Sequence, residues 1–298
     1  MVVEDGNTKM NISKILYKPL NSRRSRIKYS QVVIWIILLL GAFISMVPFI
    51  WMGFSAFKPN TEVQTFPPTV LPKVWTLENM DWAWNTMRFP RLLANSMFVS
   101  ITVTVIVLYT SALVGYVFEK FRFPGKNFLF ILFISQMFIP SQIGTIIRWF
   151  MFDRLGLRNT LLSLIIPGIF SIFGIFLMRQ FMHTIPEDLL DAARVDGCSE
   201  IGIFHRIVLP NIGPSLASLG IFIFMWTYND FFWPLIILNN PDTYTVPLGL
   251  SFYQGQYYNN NAYAMAGATI AVIPVIVVFM ILQRRIIEGM TLSGLAGR

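Results

Sequence analysis

The sequence predicts an all-α membrane protein, with six transmembrane helices and a two-helix loop on the cytoplasmic side. Three observations carry this. Of 298 residues, 55% are hydrophobic and only 13% are charged, about half the charged share of a soluble domain. Mean hydropathy is +0.59. The apolar residues fall into long runs, each near the roughly 20 residues with which a helix crosses a bilayer core.

Residues 1–30 hold seven Lys or Arg, among them Arg23, Arg24 and Arg26, and read as a cytoplasmic tail. The apolar stretch that begins near Val32 is longer than a signal peptide's apolar region, and no small-residue cleavage site ends it. It is expected to be retained as the first span. Six runs in all lie at 32–57, 97–118, 127–147, 160–178, 214–238 and 262–282. Every backbone group in lipid must be satisfied within its own segment, so each run should be helical. Pro48, Pro140, Pro167 and Pro274 are expected to be tolerated inside them. Only the fifth run carries a charge, Asp230. The six spans make one transmembrane domain over 31–285, followed by a second cytoplasmic tail over 286–298.

Orientation follows from Lys and Arg in the connections. With the N-terminus inside, inner segments hold 16 and outer loops 7, which puts both termini in the cytoplasm. The tail carries most of that bias. The outer 58–96 loop is rich in Pro and Trp, with a short helix expected near Leu77–Thr86. The outer 239–261 loop is dense in Tyr, Asn and Gln.

Composition also excludes. One cysteine, Cys198, allows no intrachain disulfide. Two histidines, His183 and His205, give no metal site. The net charge of +8 sits where membrane topology places it, so nucleic acid is not expected as a partner. Gly125-Lys126 lacks the upstream glycine of a phosphate-binding loop, and Asn127 follows it instead of Ser or Thr. No nucleotide cofactor is therefore expected in this chain.

The inner 179–213 loop reads as two short helices. Thr184 with Glu187 fits a capping box, with Pro186 in the first turn. Glu187, Asp188 and Asp191 sit where the helix dipole favours negative charge. Leu189, Leu190 and Ala193 share one face. Gly197 ends the first helix as a residue able to take positive φ. Ser199 caps the second, in which Ile201, Phe204 and Val208 repeat at helical spacing, and Pro210 is expected to stop it. Such a hairpin either lies on the membrane surface or docks onto a cytoplasmic partner.

The loop resembles the signature of importer permeases of the ATP-binding-cassette superfamily: Glu-Ala-Ala, three residues, Gly, nine residues, then Ile-x-Leu-Pro. Here Asp191-Ala192-Ala193, Gly197 and Ile207-Val208-Leu209-Pro210 keep every spacing. Asp191 stands for Glu, one methylene shorter. Pro48–Met52 with Phe57-Lys58, Asn95-Ser96, Phe121–Lys126, Trp226–Leu235, Gln283-Arg284 and Glu288–Gly294 resemble the sugar-importer branch. The nearest pattern within it is the smaller maltose-type permease.

The resemblance implies a membrane-spanning subunit in the cytoplasmic membrane of a prokaryote, importing a sugar or oligosaccharide. Its partners would be a second, homologous permease, a cytoplasmic ATPase dimer that binds ATP and Mg, an extracytoplasmic solute-binding protein, the carbohydrate and membrane lipid. The hairpin, residues 184–210, would dock into a cleft on the ATPase, through Glu187, Asp191, Ala192, Ala193, Asp196, Gly197, Phe204, Leu209 and Pro210. This chain would not itself be an enzyme.

Gln136, Gln142, Asn229 and Asp230 are polar groups at membrane depth, which either bond between helices or line the translocation path. Tyr253, Gln254, Gln256 and Tyr257 offer donors, acceptors and aromatic faces without charge. They suit a solute-binding protein, a neutral polyol or plain solvent. Two other readings stay open: an importer of a non-sugar solute, and an ion-coupled secondary transporter. The second needs buried ionisable groups, and five of the six runs have none.

Overall fold

The structure is a computed structural model that describes residues 29–256 and 260–295. The chain divides into two compact units, Met1–Pro48 and Phe49–Arg298. The described residues form helices and turns without strands. The helices are α1 (Tyr29–Ser55), α2 (Asn60–Val63), α3 (Glu78–Asn85), α4 (Phe89–Lys120), α5 (Lys126–Ser135), α6 (Thr145–Arg154), α7 (Leu162–Gly168), α8 (Ile172–Met182), α9 (Glu187–Val195), α10 (Glu200–Ile203), α11 (Leu209–Asn211), α12 (Gly213–Tyr228), α13 (Phe232–Ile237), α14 (Val246–Gln256) and α15 (Asn261–Leu295). The short outer helix expected near Leu77–Thr86 is α3.

Four stretches are long and apolar enough to cross a membrane: Gln31–Ser55, Phe89–Lys120, Gly213–Ile237 and Asn261–Ile281. Two bent pairs raise the number to six: Lys126–Phe138 with Ser141–Arg154, bent by 89°, and Leu162–Gly168 with Ile172–Met182, bent by 41°.

The third and fourth runs are therefore broken rather than continuous. Pro140 is the physical cause of the sharper break. Its ring disfavours helical backbone at the preceding residue, and Ile139 is extended, with φ −92° and ψ 118°. Single 3₁₀ turns, Gln136–Phe138 and Ser141–Gly144, flank the break. The milder bend follows Pro167. The Ser171 hydroxyl restarts the chain as α8 by accepting from the Gly174 N–H at 3.0 Å. The fifth span also pauses, at residues 229–231, between α12 and α13.

Within the second unit α4 packs against α7, α8, α12 and α14, and α12 packs against α15. The α4–α8 crossing is built on small residues. A Cβ placed on Gly174 would collide with the Ser111 hydroxyl. One placed on Gly115 would lie 3.0 Å from both the Arg179 backbone N and the Met178 Cβ. Ser111 and Gly115 are one helical turn apart, the small-residue spacing that lets membrane helices approach closely. Val99, Val103, Val107, Met178, Met182 and Leu219 fill the core around this crossing.

Candidate functional site

The two-helix hairpin over residues 184–210 forms as expected in outline. Helix α9 ends at Val195 with Asp196 as its C-cap, and Gly197 follows in the left-handed region at φ +81°. The Ser199 hydroxyl caps α10 by accepting from the Gly202 N–H at 3.2 Å. Three details differ from the sequence reading. The capping box is absent, because the Thr184 hydroxyl donates backward to the Phe181 carbonyl at 2.7 Å. Glu187 instead pairs with Lys120 at 3.0 Å. Pro210 does not stop the second helix. A π-helical turn at Phe204–Val208 precedes it, in which the Leu209 N–H donates to the Phe204 carbonyl five residues back, and this register shift leaves room for a residue without an N–H. The helix carries on through Asn211.

Burial sorts the hairpin into an inner and an outer face. Leu190, Ala193, Ile203, Phe204 and Val208 are buried in the bundle. Glu187, Asp191, Ala192, Asp196, Gly197 and Pro210 are exposed, and Leu209 is half-buried. Ile201, expected to share the apolar face, points out instead and is 72% exposed. Ala193 and Phe204 therefore anchor the hairpin to the bundle. The exposed surface pairs small Ala192 with apolar Val195 and Ile201, beside acidic Asp191 and Asp196.

Arg194 clasps the two halves. Its Nη1 donates to Asp191 at 2.6 Å and its Nε to Glu200 at 2.8 Å. That guanidinium holds the Glu200 carboxyl below the usual carboxylate range, against the opposing effect of burial. The second Glu200 oxygen accepts from the Tyr116 hydroxyl of α4 at 2.9 Å. These exposed pairs are each worth about 0–1 kcal/mol, so Arg194→Leu should leave the fold intact while loosening the angle between α9 and α10. Given the ATPase-docking role that the sequence resemblance implies for this hairpin, a partial drop in ATPase co-purification is expected at matched membrane level. Asp191→Ala, which removes a single arm of the clasp and an exposed charge, should act in the same direction more weakly.

The polar residues at membrane depth fall into two groups. Gln136 and Gln142 are exposed and lie on the two 3₁₀ turns that flank the 89° break. Asn229 is exposed, with its amide donating to the Met225 carbonyl of its own helix at 2.8 Å. Asp230 faces the N–H groups of Phe232 and Trp233 at the start of α13, with Arg148 of α6 close by. The Arg148 guanidinium lies over the Trp233 ring, 5.1 Å from its centroid. Asp230 thus has a cationic neighbour from another helix, which hydropathy alone did not reveal.

On the opposite end, Tyr253 is half-buried, while Gln254 and Gln256 at the end of α14 are exposed. Tyr257, the two tails over 1–28 and 296–298, and the side chains of Arg284, Arg285 and Glu288 lie outside the described residues. Sequence reasoning assigned no task to Asn95, Ser96 or Asn159, yet they organise residues 239–246. Asn95 donates to the carbonyls of Asp242 and Tyr244, each at 2.9 Å. Ser96 accepts from the Val246 N–H at 2.7 Å. Asn159, at φ +62°, accepts from the N–H groups of Asn239 and Asn240, each at 2.9 Å. The signal in the sequence was Asn95-Ser96 at the mouth of an apolar run.

Residues 111–291, which include the whole hairpin, match the family of binding-protein-dependent transport system inner membrane components. The chain belongs to this family. It is 33% identical, over 284 residues, to the arabinooligosaccharides transport system permease protein AraQ of Halalkalibacterium halodurans, covering 91% of this chain and 99% of that one. It is 31% identical to the lactose transport system permease protein LacG of Rhizobium radiobacter, covering 89% and 96%. It is 29% identical to the diacetylchitobiose uptake system permease protein NgcG of Streptomyces coelicolor, covering 84% of each.

The fold agrees with that of a bacterial ABC transporter involved in the import of the acidic polysaccharide alginate. The TM-score is 0.73 at 22% identity, over 89% of this chain and 99% of that one. The permease is accordingly a multi-pass membrane transport subunit rather than an enzyme. Its family works with a binding protein and an ATPase.

Proposed function

We propose that this permease carries a sugar or oligosaccharide inward across the cytoplasmic membrane of a prokaryote. ATP hydrolysis by a separate cytoplasmic ATPase, which holds the ATP and Mg, drives the transport. The observation that carries the reading is the near full-length similarity to permeases named for arabino-oligosaccharides, lactose and diacetylchitobiose. The hairpin is the ATPase-docking element, through its exposed Asp191, Ala192, Asp196 and Gly197 with Val195 and Ile201. Small and apolar residues ringed by charge make a face suited to a protein partner. The permease domain spans residues 31–285 between two cytoplasmic tails and pairs with a second, homologous permease. Gln136, Gln142, Asn229 and Asp230 line the path, and the end of α14 meets the solute-binding protein.

Reconstitution in liposomes with the ATPase, the second permease and the binding protein tests this. Uptake of one of the three glycans is expected, dependent on both ATP and binding protein. Uptake driven by an ion gradient alone would overturn the reading. Topology is tested separately. In a Cys198→Ser background, Gln256→Cys should react with an impermeant thiol reagent added from outside. Labelling from the inside only would reverse the orientation.

A further inference from the structure

The permease must pass a signal between its two ends if binding protein outside is to govern ATP use inside. Helix α4 is fastened by side chains at both ends. Among the described spans, α4 alone has neither an internal break nor a proline beyond its first turn. Its 32 residues extend about 48 Å. The other spans are broken, or carry Pro48 or Pro274 within the helix. An unbroken helix transmits displacement at one end to the other, whereas a broken one absorbs it at the joint.

The inner end of α4 is fastened to both halves of the hairpin. The Lys120 side chain, 4% exposed, donates to the Ile185 carbonyl at 2.6 Å and to Glu187 at 3.0 Å, at the start of α9. One turn earlier, Tyr116, 2% exposed, donates to Glu200 of α10 at 2.9 Å. Its ring packs on Phe204, 5.6 Å between centroids. At the outer end Asn95, 5% exposed, and Ser96, 1% exposed, hold residues 242–246 by three hydrogen bonds to backbone. That segment leads without interruption into α14. Leu92 of α4 presses directly on Gly249 of α14, where a Cβ would have no room. Buried polar groups of this kind are costly to leave unpaired, so each attachment resists slipping.

We propose that α4 is the strut through which the outer α14 segment and the cytoplasmic hairpin are coupled, with Asn95 and Tyr116 as its positioning residues at the two ends. The proposal rests on the reading above, in which α14 meets the binding protein and the hairpin meets the ATPase.

The test uses the assembled importer in lipid nanodiscs. ATP hydrolysis is measured with and without saturating glycan-loaded binding protein. In the unmodified complex the binding protein must stimulate hydrolysis, and its failure there would overturn the functional reading rather than the strut. Tyr116→Phe keeps the ring and loses one hydroxyl. Asn95→Ala loses both outer hydrogen bonds, and Ser96→Ala replaces it as the outer variant if its membrane level falls. Each variant should keep basal hydrolysis and ATPase association, yet lose stimulation by at least about threefold. The double variant Asn95→Ala/Tyr116→Phe should lose no more than the worse single one, because both act on one route. A merely structural role would lower assembly and basal hydrolysis together. Undiminished stimulation in Tyr116→Phe and in the outer variant, or losses that multiply in the double, would overturn the strut.

Discussion

Gly115→Leu is expected to destabilise the folded permease strongly. Gly115 sits where α4 crosses α8, and a Cβ there already lies 3.0 Å from the Arg179 backbone N and from Met178, and 3.2 Å from the Met178 carbonyl carbon. The obstructing atoms are mostly backbone, which no rotamer change can move. A leucine must push the two helices apart along this close crossing. That separation also strains the Arg179–Glu119 ion pair, 3.0 Å long, which spans the same two helices beside the hairpin. Overpacking a well-filled core costs about 1–3 kcal/mol and sometimes more, and backbone contact places this site at the upper end. Thermal unfolding followed by size-exclusion of the detergent-solubilised protein reads it directly. Gly144→Leu is the matched control, since nothing lies within 4 Å of a Cβ there. Equal stability of the two variants would show that the α4–α8 crossing is looser than described.

Gly197→Val should leave the protein inserted and folded but detach it from its ATPase. Nothing lies within 4 Å of a Cβ at Gly197, so the substitution is not a clash. The penalty is conformational. The backbone sits at φ +81°, and left-handed backbone costs an L-residue roughly 1–2 kcal/mol, more when the side chain is β-branched. The chain escapes that cost by rotating the α9–α10 joint, which moves the exposed face carrying Asp191, Ala192 and Val195 against Ile201. The inner face resists, because Leu190, Ile203 and Phe204 are fully buried. Reorientation is therefore confined to the exposed side. Co-purification of the ATPase at matched membrane level should fall several-fold, and transport with it. Gly197→Asn, a residue that tolerates left-handed backbone, should recover most of the association. Full association in Gly197→Val would remove the hairpin from the docking role.

The amino-acid sequence by itself determined where the apolar runs lie and that they are helical, because lipid leaves a backbone no other way to satisfy its own hydrogen bonds. It also determined the hairpin. Asp191, Ala192, Ala193, Gly197 and Pro210 stand at spacings whose meaning is local: a helix, a left-handed joint and a second helix.

What hydropathy could not supply is which side of each helix faces which neighbour. A soluble helix declares its buried face by the contrast between apolar and polar residues. In a membrane both lipid and protein core are apolar, so that contrast fades, and small residues and scattered polar groups decide the packing. Only the tertiary structure therefore distinguished Gly115 and Gly174 from the glycines that touch nothing. The same holds for the turn of Ile201 outward and Ile203 inward. The placing of Arg148 beside Asp230 and the attachment of Asn95 and Ser96 to residues 242–246 join parts of the chain about 80 to 150 residues apart. The break at Pro140 lies between these cases. The proline was visible in the sequence, but neighbouring helices decide whether a membrane helix absorbs a proline or turns at it. Here the chain turns by 89°.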